Sequence, residues 1–208
     1  MTKKEIALAA VLALKKEYPD ALCSLDYSSP LQLLIAARLS AQCTDARVNL
    51  VTPALFDRYK TMRDFAGADP DEVAKYIHSC GFYATKSKDI VGMCRMMIED
   101  FGGELPSTLD DLTKLPGIGR KTANLIMGDV YGKPAVVTDT HMIRLCNRLG
   151  LVTTKEPKKV EDAMRKLLPP EESNDFCHRT VLHGRAVCSA RKPKCDECCM
   201  KEFCRKCI

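Results

Sequence analysis

Leu115-Pro116-Gly117-Ile118-Gly119-Arg120-Lys121-Thr122-Ala123-Asn124 lies between two stretches of helical periodicity. Upstream, Leu109, Leu112 and Leu115 fall on one face of a helix that Ser107 is placed to cap. Downstream, Ala123, Ile126, Met127 and Val130 recur at the spacing of a core-facing stripe. Both glycines can adopt positive φ and let another backbone approach closely. Such a turn points free amide N–H groups outward at a helix N-terminus, where the dipole also favours an anion. A hairpin of this kind holds one phosphate without reading a base, and Arg120 and Lys121 add positive charge at the same spot. A bare Gly-x-Gly between helices is more often an ordinary connection.

The same start and stop signals recur along the sequence, and no period-2 strand pattern competes with them. Thr2 with Glu5 makes a capping box for a helix reaching about Tyr18-Pro19. Ser29-Pro30 opens Leu31–Leu39. Thr44-Asp45 opens a helix toward Tyr59, with Pro53 a kink or break. Asp69-Pro70 begins a short helix that Gly81 closes, and Ala84–Phe101 ends at Gly102-Gly103. Asp139 precedes Met142–Leu149, and Glu156-Pro157 opens a helix to Leu168. The expectation is an all-α chain of short helices joined by tight turns.

A chain of 208 residues suits one large domain or two small ones sharing a cleft. With 46% hydrophobic and 28% charged residues it can bury a core and is not a disordered chain. No apolar run reaches the ~18–20 residues that span a bilayer, so no membrane partner is expected. Met-Thr-Lys-Lys-Glu leads into a charged amphipathic helix, and the expectation is an unexported, cytoplasmic protein. A net charge of +5 is too small to establish nucleic-acid binding by itself. The absence of Trp argues against a single-strand binder built on stacking platforms.

Cysteine is the informative excess. Of 12 cysteines, six lie between Cys188 and Cys207, and in an unexported chain such a group reads as metal ligation. Cys188, Cys195, Cys198 and Cys204 are separated by six, two and five residues. Zinc sites usually pair two short Cys-x2-Cys knuckles. One short gap and two long ones suit a [4Fe-4S] cluster better, with a structural zinc ribbon the alternative. Cys199 and Cys207 are expected to be non-ligands. Cys23, Cys43, Cys80, Cys94, Cys146 and Cys177 read as buried thiols. Arg191-Lys192-Pro193-Lys194, between the first two ligands, forms a basic loop that a cluster would shape for phosphate contact.

The hairpin run resembles the helix-hairpin-helix of the endonuclease III family of DNA glycosylases, and the cysteine spacing matches that family's cluster loop residue for residue. The resemblance implies that Lys121 is the catalytic nucleophile. Only an amine at the sugar C1′ gives a Schiff base that permits β-elimination, and the amine must be neutral to attack. The helix end, the Arg120 cation and burial would each favour the neutral form. Gly128, on the same face as Lys121, would leave space beneath it. The bland alternative for Lys121 is a phosphate contact. Val137-Thr138-Asp139-Thr140-His141 resembles the family's Val-Asp-Thr-His stretch, with Thr138 replacing the valine. The likeness implies a catalytic Asp139, a role compatible with N-capping.

Chemistry at C1′ of a paired nucleotide requires flipping it out and filling the gap. Leu39-Ser40-Ala41-Gln42-Cys43-Thr44-Asp45 resembles the family's Leu-Ser-Ala-Gln-x-Thr-Asp loop, which makes Gln42 the plug. Gly81-Phe82-Tyr83 resembles a second family loop, with Phe82 as a wedge bulkier than the usual aliphatic residue. Phe82 is alternatively an anchor for its own turn. Leu115, Gly117, Gly119, Arg120, Arg191, Lys192 and Lys194 complete the expected DNA contacts. His141 and His183 are expected to make structural hydrogen bonds. Arg144, Arg148 and Arg185 face either the cluster or phosphates.

By that likeness the fold is two helical domains flanking a cleft. Residues 22–132 form a six-helix barrel with the hairpin at about 109–128, and 1–21 plus 133–208 form the cluster domain. Lys121 and Asp139 would face each other across the cleft. The implied activity is excision of oxidised pyrimidines from double-stranded DNA by a monomeric, nucleoid-associated enzyme, with cleavage 3′ to the abasic site. A mismatch glycosylase of the same superfamily is one rival, although those without lyase activity lack the lysine. A non-catalytic DNA-binding redox module is the other.

Overall fold

The computed structural model describes residues 1–206; Cys207, expected to be a non-ligand, lies outside the described residues. Among the described residues all regular structure is helical, as the capping pattern predicts: α1 Lys3–Glu17, α2 Pro30–Leu39, α3 Asp45–Arg58, α4 Met62–Ala66, α5 Pro70–Ile77, α6 Tyr83–Asp100, α7 Leu109–Leu112, α8 Arg120–Asp129, α9 Thr140–Arg148, α10 Pro157–Leu167 and α11 Ser173–Ala186. None is long and apolar enough to cross a membrane. The chain divides into two compact units, one of Ser24–Tyr131 and one of Met1–Cys23 with the segment from Gly132 onward.

The Ser24–Tyr131 unit holds α2 to α8. α2 is apolar on most sides, and Leu33, Leu34, Ile35, Ala36, Ala37 and Leu39 are all buried, so it forms the unit's centre. α6 packs against α4, α5 and α2, while α8 packs against α2 and α7. Pro53 stays inside a continuous α3 and does not break it. Pro53 itself is exposed. α7 is capped by Thr108, one residue after the expected Ser107, because Thr108 accepts from Asp111 N at 3.1 Å and its hydroxyl donates to Asp111 Oδ2.

The other unit packs α11 against α1 and α9, and α10 against α1 and α9. α11 has no counterpart in the sequence reading. Its buried face uses Ser173, Cys177, Thr180 and Gly184 in place of large aliphatics, and no side chain caps its start. Of the cysteines expected to be buried, Cys80, Cys94, Cys146 and Cys177 are, but Cys23 and Cys43 are half-buried. Cys43 stands at the rim of an exposed loop, which explains its access.

Glu172 ties α1 to α11 through Lys15 and through Arg179 at 2.9 Å. The Lys15 ammonium, followed by Arg179, holds the Glu172 carboxyl below the usual carboxylate value. A depressed folded-state value means stability that is complete above the unfolded-state value and lost as pH falls through the folded one. Glu172→Gln should therefore be less stable than the parent chain at neutral pH in urea unfolding. The gap should close toward about pH 3, and a gap independent of pH would contradict this linkage.

Candidate active site and metal centre

The hairpin between α7 and α8 is anchored by its apolar residues. Leu115 and Ile118 are 2% and 5% exposed, and Ile118 N donates to Leu115 O. Leu115 thus fills the core, leaving only its backbone to face a phosphate. Gly117 has φ +72°, and a Cβ there would overlap Arg38 Nε and lie 2.5 Å from Asp89 Oδ2. These two side chains form an ion pair, Arg38 Nε donating to Asp89 Oδ2 at 2.8 Å. Gly117 is therefore required twice, by its backbone angle and by the closeness of its neighbours.

Gly119 departs from the expectation of positive φ. It is the extended N-cap of α8, no side chain caps the helix, and a Cβ would meet nothing within 4 Å. The start of α8 thus lacks a side-chain cap and a neighbour against Gly119, an arrangement suited to an anion. Arg120 is half-buried and Lys121 exposed. The burial pattern of α8 also differs from the expected stripe. Ala123 and Ile126 are buried, but so are Asn124 and Gly128, while Met127 and Val130 are only half-buried. Asn124 earns its buried place by bonding Arg120 O at 3.0 Å. The face carrying Lys121 is open at its first turn and covered at the turn of Gly128.

Asp139 belongs to the other unit. It is the N-cap of α9, with Oδ1 accepting from Met142 N at 2.8 Å. The segment before it is buried at Ala135, Val136, Val137 and Thr138, and Val137 N bonds Cys177 Sγ. The cap occupies one carboxylate oxygen, and the half-buried carboxylate keeps its second oxygen for other work.

Gln42 and Phe82 share a backbone peculiarity. Both are non-glycine residues in the left-handed region, at φ 54° and 48°. Both are exposed, Phe82 to 66%. Such conformations cost about 1–3 kcal/mol each and persist only where the surroundings enforce them. An aromatic ring held out in water at that cost is poorly explained as an anchor of its own turn.

Cys188, Cys195, Cys198 and Cys204 line one cavity with Arg148, Pro193 and Lys194, around about 380 Å³ of empty space that opens partly to solvent. They stand apart around it: among the described residues no three His, Cys, Asp or Glu side chains gather on a point that one ion could occupy. Four thiols ringing one space supply the donor set of a four-iron cluster.

The surroundings favour thiolates. Arg148, 8% exposed, donates to Cys188 Sγ at 3.1 Å and to the carbonyls of Ser189 and Ala190. Arg144 bonds Cys188 O, Gly184 O and His141. These contacts answer the choice the sequence left open for Arg144 and Arg148, while Arg185 is exposed. His183, wholly buried, links Tyr18 OH to Cys198 Sγ. The Cys199 thiol, then His183 and the Met200 amide, draw the Cys198 thiol down to about 4, while its hydrogen bond to Cys198 and burial push Cys199 up. Cys199 is absent from the cavity lining. Arg191, Lys192 and Lys194 are exposed on a loop fixed by Arg148, by Ser189 Oγ to Lys192 O and by Lys194 N to Val187 O.

The chain matches two family models. One, described as HhH-GPD superfamily base excision DNA repair protein, covers residues 35–170, and the iron-sulfur binding domain of endonuclease III covers 188–204. The chain is 48% identical over 204 residues to endonuclease III of Synechocystis sp., spanning 98% of this chain and 93% of that protein. Its structure is similar to that of a trapped endonuclease III–DNA covalent intermediate, with TM-score 0.93, 40% identity and coverage of 99% of this chain and 97% of the other. A thermostable thymine-DNA glycosylase shares the fold at TM-score 0.86 and 24% identity, covering 99% and 96% of the two chains.

Gly117→Ala should cost about 2–4 kcal/mol in denaturant unfolding through its backbone angle and overlap. Gly119→Ala should change stability by less than about 1 kcal/mol yet weaken DNA binding; equal stability losses would contradict the division of labour. Serine at Cys188, Cys195, Cys198 or Cys204 should lower bound iron below about four per chain, whereas Cys199→Ser should retain it. Iron loss in Cys199→Ser would reassign that ligand.

Proposed function

The chain belongs to the endonuclease III family of base-excision repair proteins, and from that premise we propose that its Lys121 attacks the deoxyribose C1′ of an oxidised pyrimidine nucleotide in double-stranded DNA. The protein is a DNA glycosylase and AP lyase that carries a [4Fe-4S] cluster. The observation that carries the Lys121 assignment is its exposed place two residues past the open Gly119, at the uncapped start of α8. A phosphate seated on those amides would bring the neighbouring sugar to the amine.

The step runs as follows. Lys121 Nζ gives up a proton and forms a bond to C1′ as the bond from C1′ to the base breaks and the base leaves with a proton. Opening of the sugar ring gives a Schiff base between Nζ and C1′. Loss of a proton from C2′ then expels the 3′ phosphate, cutting the strand 3′ to the abasic site. Asp139, with one oxygen left by its cap, stabilises positive charge on the sugar as the base departs and moves the Lys121 proton. Gln42 and Phe82, exposed and held in left-handed conformations, fill the stack when the nucleotide leaves it.

Cys188, Cys195, Cys198 and Cys204 hold the cluster, and when bound it cross-links the tail into a rigid support. Arg191, Lys192 and Lys194 on that support contact phosphates. A DNA substrate places the enzyme with the chromosome, in the cytoplasm, where it acts as a monomer.

On a duplex carrying one thymine glycol, Lys121→Gln should abolish strand cleavage while DNA binding stays within about threefold. Retained cleavage would remove Lys121 from its role. Asp139→Asn preserves the cap, since asparagine caps as well as aspartate, and should slow excision about 100-fold or more with the unfolding midpoint unchanged. Loss of stability without that rate effect would leave Asp139 a cap only.

A further inference from the structure

Lys86, in the first turn of α6, is 1% exposed, and a charge so far from water must be paired by polar groups. Its Nζ donates to the carbonyl of Leu39 at 2.8 Å and to that of Cys80 at 2.9 Å. Leu39 ends α2, and Cys80 ends the 3-10 turn His78–Cys80 that follows α5. Both carbonyls are thus helix-terminal groups with no onward partner, where the dipole also favours a cation.

The position of these two ends gives the contact its meaning. Leu39 lies three residues before Gln42, and Cys80 two before Phe82. Both Gln42 and Phe82 are exposed and hold left-handed backbone. The backbone of Lys86 adds a further tie, its N–H bonding Phe82 O at 3.0 Å. On the other flank burial, and then the nearby thiol of Cys43, directly after Gln42, push the Cys80 thiol up to about 11. Two loops far apart in sequence are joined below their tips by one ammonium.

We propose that Lys86 is a positioning residue for duplex opening: its single ammonium, bridging Leu39 and Cys80, sets the spacing of Gln42 and Phe82 so that plug and wedge enter the DNA together. The inference rests on the reading of Gln42 and Phe82 as the inserting residues. Lysine suits the task because it combines a long apolar stem with several donors on one atom. A purely structural lysine would make the same hydrogen bonds but would treat every substrate alike.

The test uses the full, cluster-loaded chain and two substrates of one sequence. One is a duplex with thymine glycol opposite adenine, which must be opened. The other is a single-stranded oligonucleotide with a preformed abasic site, which needs no opening. Lys86→Met, which keeps the stem, should cut single-turnover excision on the duplex at least ~10-fold and leave abasic-site cleavage within about twofold. Equal loss on both substrates, or loss on neither, overturns the inference.

Should Lys86→Met fold poorly, Lys86→Gln restores amide donors and should recover duplex excision selectively; parallel losses on both substrates again overturn it. Gln42→Ala, run alongside, separates the two levels of the argument. Selective loss in Gln42→Ala with none in Lys86→Met overturns Lys86 alone. If neither is selective, the insertion reading falls and takes the inference with it.

Discussion

Arg38 and Asp89 occupy the space where a side chain at position 117 would be, and much of the Ser24–Tyr131 unit is registered on that contact. Arg38 comes from α2 and Asp89 from α6, so their ion pair fixes two helices at the point where the hairpin turns. α2 then runs into the Gln42 loop, and Phe82 is the N-cap of α6. The start of α8, Gln42 and Phe82 are therefore all referred to the same pair of helices. The half-buried pair is worth more than a surface one because the glycine backbone shields it. Its larger service is geometric, since it excludes every residue but glycine from the turn.

The cluster tail follows a parallel logic with different chemistry. Arg148 spends its guanidinium on one sulfur and three carbonyls of the tail, and His183 reaches a second sulfur from beneath. Donors aimed at sulfur stabilise thiolates, and donors aimed at carbonyls shape the loop that carries Arg191, Lys192 and Lys194. Cysteine spacing alone would leave that basic loop free to move; the two buried side chains explain how it keeps one shape.

How much of this was legible beforehand depended on whether the signal was local. Gly117, Pro116 and the capping residues announce their conformations through their own chemistry, so the all-helical class, the hairpin and most helix starts could be read directly. The cysteine tail was readable because its spacing is itself the geometry. α11 leaves no apolar periodicity to detect, because Phe176 is joined on its buried face by small residues and by the polar Arg179, Thr180 and His183. The backbone of Gly119 is not legible because a glycine alone does not say whether freedom of φ or freedom of space is being used. Lys86 was passed over because a lysine in a helix normally faces water. Its partners are main-chain carbonyls 47 and six residues away, and backbone atoms leave no mark in a sequence.

The central claim is that one amine, on Lys121, forms the covalent bond to the sugar. Borohydride reduction of the reacting complex on thymine glycol duplex, followed by protease digestion and mass spectrometry, identifies the residue that carries the sugar remnant. The account predicts a single modified peptide with the adduct on Lys121. An adduct on any other lysine or on the N-terminal amine, or no adduct while strand cleavage proceeds, would contradict it.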